Sequence, residues 1–153
     1  MRKAKPLPAP CIEQVDTSYL ETLVGYNARR AALAIIGHFL QRMEVHGFKP
    51  VMFSVASLIA HNPGITSRQL CSTLGILPPN LVIMVNALEK RELIIRLPHP
   101  SDGRAMGLHP TPLGLKVMQE AEETASQLED DVTGRLTPAE RKTLMRLLQK
   151  VYR

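Results

Sequence analysis

Apolar positions recur at steps of three and four over much of this chain, and Pro, Gly and polar clusters cut the pattern into segments. From Ser18 to about His46 there is no proline, and Ser18 with Glu21 has the form of a capping box. Leu20, Leu23, Tyr26, Ala31, Ala34, Ile35, His38 and Met43 then fall largely at helical spacing, which predicts one long helix closed by Gly47. Its interior glycines, Gly25 and Gly37, each cost about 1 kcal/mol relative to alanine. They are expected to mark the close approach of another helix, on a packed or dimer face.

Pro50 suits a first helical position, and Val51 to His61 reads as a mostly apolar helix stopped by Asn62-Pro63-Gly64. Thr66 and Gln69 form a second capping box, opening a short helix over 67–74 that ends at Gly75. A further helix is predicted from about Pro79 to Arg91. Two short helices about a tight turn containing Gly75 have the outline of a helix-turn-helix. Leu93 to Leu97 reads as a strand, and Pro98 to Gly103 is turn chemistry. Ala105 to His109 reads as the returning strand. Thr111-Pro112 opens a helix to about Asp131. Thr137-Pro138-Ala139-Glu140 combines a capping box with Pro in the first turn and opens a last helix to about Tyr152. That helix carries Leu144, Leu147, Leu148 and Val151 as its apolar stripe.

A helix-turn-helix followed by a β-hairpin is a winged helix. The expected fold is therefore mainly α with a small β-hairpin wing, its long terminal helices forming a dimer. Residues 1–15 form a basic, Pro-rich arm, 16–48 and 111–153 the helical dimerisation region, and 49–110 the winged helix-turn-helix, in one integrated domain.

Composition bounds the function. The 153 residues suit one domain, and the net charge of +5 points to an anionic partner, nucleic acid above all. The distribution of that charge tempers the argument. Residues 66–104 carry only +2, residues 105–134 carry −5, and residues 135–153 carry +5. The acidic helix, with Glu120, Glu122, Glu123, Glu129, Asp130 and Asp131, is thus poised to pair with the basic one after it, within a chain or across a dimer. The two cysteines, Cys11 and Cys71, exclude a disulfide scaffold and cannot complete a four-ligand zinc site. The longest apolar runs, such as Ala31 to Ile36 and Leu81 to Val85, fall far short of the ~20 residues of a membrane span. The first ten residues lack a secretory apolar core, so a cytoplasmic location is expected. The histidines His38, His46, His61, His99 and His109 have no metal-ligand spacing, and no nucleophile–base set suggests an enzyme. Neither metal nor cofactor is expected.

The stretch from Ile65 to Met118 resembles the winged-helix core of the MarR family of bacterial transcription regulators. Leu88 to Arg96 (LEKRELIIR) resembles the end of the recognition helix and the first wing strand. Asp102-Gly103-Arg104 resembles the D-x-R of the wing tip, and Leu108 to Gly114 the strand that enters the next helix through T-x-x-G. Leu136 to Arg141 resembles the start of the last helix, and Gly25 to Ala31 (GYNARRA) the first helix of members that sense aromatic compounds. Two departures stand out. Glu92 occupies a position where the family usually has Gly, and Val82, Ile83 and Ala87 stand where the recognition helix is often polar.

The resemblance implies a homodimeric, ligand-responsive repressor on a near-palindromic double-stranded DNA operator. The expected DNA contacts are Ser67, Arg68 and Gln69 at the helix before the recognition helix, and Pro79, Asn80, Ile83, Asn86 and Lys90 on the recognition helix. Arg104 on the wing tip is placed in the minor groove, where narrow A·T-rich stretches attract guanidinium, with Asp102 orienting it. Lys90 and Arg91 are read either as backbone contacts or as ordinary solvent-facing charges. Tyr26, Arg30 and His38, near one helix face, are candidates for a small anionic aromatic effector. Redox sensing through Cys11 or Cys71 is weighed and not favoured. The competing reading is a winged helix used for protein contacts or nonspecific DNA architecture, prompted by the apolar Val82, Ile83 and Ala87.

Overall fold

The computed structural model describes residues 14–99 and 102–153, with backbone only at 99 and 102–104. The elements run α1 (Ser18–Glu21), α2 (Val24–Met43), a 3-10 turn (Glu44–His46), α3 (Pro50–His61), β1 (Ile65–Thr66), α4 (Ser67–Leu74) and α5 (Pro78–Lys90). β2 (Ile94–His99), β3 (Asp102–Pro110), α6 (Pro112–Val132) and α7 (Pro138–Tyr152) complete the chain. Two compact units are distinguished, one up to Leu33 and one from Ala34 to Arg153.

In the first unit the expected single helix is broken after Glu21. The Ser18–Glu21 capping box does not form; Ser18 N–H instead bonds the Asp16 carboxylate at 2.9 Å, and the Thr17 hydroxyl bonds Glu21 at 2.6 Å. At the break, the Thr22 hydroxyl donates to the Tyr19 carbonyl at 2.7 Å. Asn27 Nδ2 donates to the carbonyls of Glu21 (2.7 Å) and Leu23 (2.9 Å). Side chains thus take up carbonyls that a continuous helix would pair internally, the competition that Thr and Asn offer to regular structure.

In the second unit the core gathers Met43, Val55, Ile59, Leu70, Leu81, Leu88 and Leu108 from α2, α3, α4, α5 and β3, with Phe48 from the loop before α3. Cys71 packs against it as a small, half-buried residue. The capping boxes at Thr66/Gln69 and Thr137/Glu140 are both complete, and Thr111 caps Gly114 N–H at 2.9 Å. Gly75 ends α4 as read from sequence, Gly47 closes the 3-10 turn that follows α2, and both are left-handed.

The wing is larger than a hairpin. β1 joins β2 and β3 in a three-stranded antiparallel sheet of order β1-β3-β2. Ile65 pairs with Leu108 and Thr66 with Gly107, while Arg96 on β2 faces Leu108 from the other side. A Cβ on Gly107 would stand 3.0 Å from the Gly64 carbonyl oxygen, so glycine there lets β1 close on β3.

α7 buries none of its residues, and Leu144, Leu147, Leu148, Val151 and Tyr152 are all exposed. The acidic–basic pairing is partly realised within the chain: Arg141 reaches Asp130 at 2.5 Å and Glu129 at 3.9 Å. Asp131 instead pairs with Arg42. Among the described residues the close approach expected at Gly25 and Gly37 is not found; a Cβ at either meets nothing within 4 Å. Among the described residues, no single helix is long and apolar enough to cross a membrane.

Candidate nucleic-acid interface

α5 owes its orientation to a one-sided apolar face. Leu81, Val85 and Leu88 are buried, with Met84 and Ala87 partly so. Each large side chain buried this way contributes about 1.5–3 kcal/mol. At 100° per residue, the opposite stripe is Pro79, Ile83, Asn86 and Lys90, all exposed. Asn80 and Val82 flank it and are exposed as well. Every recognition-helix residue expected from sequence therefore lies on the outward side. That side is partly apolar, with Ile83 68% and Val82 53% exposed.

α4 crosses before it. Its first turn exposes Ser67, Arg68 and Gln69. The side-chain oxygen of Gln69 is committed to the cap, accepting from Thr66 N and Oγ1, both at 2.9 Å. Ser67 and Arg68 stand beside amide groups at the helix start, which is where anions are favoured.

The end of α5 explains the departure at position 92. Glu92 N–H bonds the Glu89 carbonyl at 2.8 Å, and Leu93 N–H bonds the Leu88 carbonyl at 3.1 Å. These are the two bonds of a Schellman motif, which places the residue after the C-cap in the left-handed region. Glu92 has φ +58°, and among the described residues it is the one non-glycine with positive φ. The left-handed region costs a side-chain-bearing residue roughly 1–2 kcal/mol. Glycine suits the site; this chain tolerates Glu because Thr111 Oγ1 holds the Glu92 carbonyl at 2.7 Å and Leu93 is buried.

Arg91 is engaged structurally. Its guanidinium donates to the carbonyls of His46 (2.7 Å) and Gly47 (3.2 Å) and lies over the Phe48 ring at 4.9 Å. This satisfies the end of the 3-10 turn with a cation–π contact. Lys90 remains exposed on the outward stripe.

The side chains of Asp102 and Arg104 lie outside the described residues, as does Cys11. On α2, Tyr26 is half-buried and Arg30 exposed within the first unit, and His38 is exposed within the second. His46 and His61 bond across to α6, His46 with Thr124 and His61 with Glu122, each at 2.9 Å. Among the described residues no group of His, Cys, Asp and Glu has metal-binding geometry.

Sequence reasoning missed Arg96. From β2 its Nη2 donates to Asn86 Oδ1 at 2.5 Å and lies 3.2 Å from Glu89 Oε2. The spacing of Asn86 and Glu89, three apart on the outward side of α5, was a signal that this edge wants a cationic partner.

A curated protein of Thauera aromatica, named for transcriptional regulation of the hcr operon, is 33% identical over all of this chain and 93% of its own length. The MarR family profile matches residues 46–105. The chain belongs to the MarR family of transcriptional regulators. Two solved structures of the transcriptional repressor CouR extend the comparison. One, bound to a 23-mer DNA duplex, is 34% identical with a TM-score of 0.86, covering 92% of this chain and 100% of CouR. The other, bound to p-coumaroyl-CoA, is 33% identical with a TM-score of 0.81, covering 92% and 99%. The winged-helix architecture read from the sequence is thus the family's own.

Proposed function

We propose that this MarR-family regulator is a repressor that binds a near-palindromic operator as a homodimer and responds to an aromatic acid or its thioester. The observation that carries the DNA-binding part is the outward stripe Pro79, Ile83, Asn86 and Lys90 on α5, with Ser67 and Arg68 beside it on α4, in a chain superposing closely on DNA-bound CouR. α5 enters the major groove, Arg68 meets phosphate, and Arg104 enters the minor groove with Asp102 orienting it. Gln69, Asn80 and Lys90 complete the contact set.

The dimer is supported by α7. A 15-residue helix with its whole apolar stripe in solvent is atypical of a monomer. Residues 16–48 and 111–153 form the dimerisation region and 49–110 the DNA-binding region; the basic, Pro-rich stretch before them lies almost wholly outside the described residues. Two-fold symmetry sets half-sites about one DNA turn, ~34 Å, apart. The effector class is supported by the p-coumaroyl-CoA complex of CouR, and Tyr26, Arg30 and His38 are its proposed contacts. No catalytic step belongs to this reading, and its setting is the cytoplasm. The exposed Val82 and Ile83 favour, as the second reading, a protein-interaction module or nonspecific DNA-binding architecture.

Fluorescence polarisation of the full chain on a labelled duplex from upstream of its gene tests the response. Added p-coumaroyl-CoA weakens binding; if aromatic acids and their thioesters all leave it unchanged, the effector assignment is wrong. Arg104→Ala weakens binding, and unchanged affinity removes the wing from the interface.

A further inference from the structure

The outward stripe of α5 contains one side chain whose orientation is set from another element. Asn86 has a carbonyl oxygen and an NH2 group, and a terminal amide can sit either way round. A guanidinium offers donors only, so the group facing Arg96 has to be the oxygen. Arg96 makes that bond at 2.5 Å and is anchored at the same time by Glu89, 3.2 Å away and one turn along α5. β2 fixes where Arg96 starts, because residue 96 pairs with Leu108 of the central strand. The oxygen of Asn86 is thereby turned toward Arg96, and its NH2 is directed away from it.

We propose that Arg96 is a specificity-positioning residue: by holding the Asn86 amide in one orientation, it determines which base edge Asn86 prefers. This rests on the reading of α5 as the DNA-reading helix. Each base pair shows a distinct order of donors and acceptors in the major groove, so a fixed amide discriminates where a freely flipping one does not. Arg96 also pairs with Glu89 and offsets the charge of that carboxylate at the edge of the stripe.

The test is selection of bound sites by the full chain from a pool of random 30-bp duplexes, read by sequencing. The variants are Asn86→Ala, Arg96→Met, Arg96→Lys and Glu89→Gln. Asn86→Ala identifies the base pair that Asn86 reads as the one whose preference flattens. Arg96→Met is expected to reduce the preference at that same pair from about tenfold to near one, with the other positions unchanged. Arg96→Lys, which keeps a donor-only cation, retains the preference. Glu89→Gln keeps an oxygen that still accepts from Arg96 while removing the charge, so the Asn86–Arg96 bond and the preference stay as in the native chain. General destabilisation lowers binding to all sequences and does not flatten one position alone. A native preference at the Asn86 pair that survives Arg96→Met overturns the inference while DNA reading stands. So does a preference lost equally in Glu89→Gln, which would make charge rather than amide orientation the cause. If the native chain enriches no motif at all, the DNA-reading assignment itself falls, and the role of Arg96 with it.

Discussion

Replacing Gly114 by alanine tests the joint between the end of α5 and the start of α6. A Cβ at Gly114 would lie 2.8 Å from the Leu93 carbonyl carbon and closer still to its oxygen, where ordinary contact is 3.4–4 Å. Both partners are backbone, so no flexible side chain can give way. The β2 entry and the first turn of α6 have to separate, and three hydrogen bonds sit in the gap. Thr111 N–H donates to Leu93 O at 3.0 Å, Thr111 Oγ1 to Glu92 O at 2.7 Å, and Gly114 N–H to Thr111 Oγ1 at 2.9 Å. At about 1 kcal/mol net for each, their loss costs about 3 kcal/mol. For a chain of this size 1 kcal/mol is worth about 2–4 °C, so Gly114→Ala lowers Tm by about 6–12 °C. Thermal unfolding followed by circular dichroism, at fixed protein concentration, measures it. A Tm within 2 °C of the native chain would mean that the junction relaxes freely and that these three bonds survive the added methyl group.

Three further outcomes are expected. Glu92→Gly relieves the left-handed strain at φ +58° and raises stability by about 1 kcal/mol, read as an increased urea midpoint at constant slope. Arg68→Ala weakens operator and random DNA alike and reduces the slope of log K against log salt by about one, measured by polarisation titrations at several salt concentrations. Glu140 is held below the ordinary glutamate range, first by the Thr137 backbone N–H and then by its hydroxyl. A folded-state value that is depressed contributes stability above the unfolded-state value and loses it as pH falls through the folded-state one. Glu140→Gln, which keeps an amide oxygen for the cap, therefore shows less loss of Tm on acidification below the ordinary carboxylate range than the native chain.

The parts of the fold legible in sequence were those written in short-range chemistry. Thr66 with Gln69 and Thr137 with Glu140 are local hydrogen-bond devices, and both form as their spacing dictates. Gly47 and Gly75 stop helices because the left-handed region is open to them. The break after Glu21 was not legible, because Thr22 and Asn27 fit a helical pattern until their side chains bond backbone carbonyls. β1 was missed because two residues, Ile65 and Thr66, carry no periodicity; only the register with Leu108 and Gly107 makes them a strand. At the candidate site, the outward stripe was among the contacts that the resemblance implied, and the helical spacing of Pro79, Ile83, Asn86 and Lys90 agrees with it. The roles of Arg91 and Arg96 did not, since each depends on a partner brought in by the fold: the carbonyls of His46 and Gly47 for Arg91, and Asn86 with Glu89 for Arg96.

The proposed function stands on sequence-specific DNA binding by the face that α4 and α5 present. The most direct measurement is the ratio of affinities of the full chain for its upstream duplex and for a random duplex of equal length, at one physiological salt concentration. Sequence-specific binding gives a ratio on the order of 10³ or greater; a ratio near one means that this face does not read sequence.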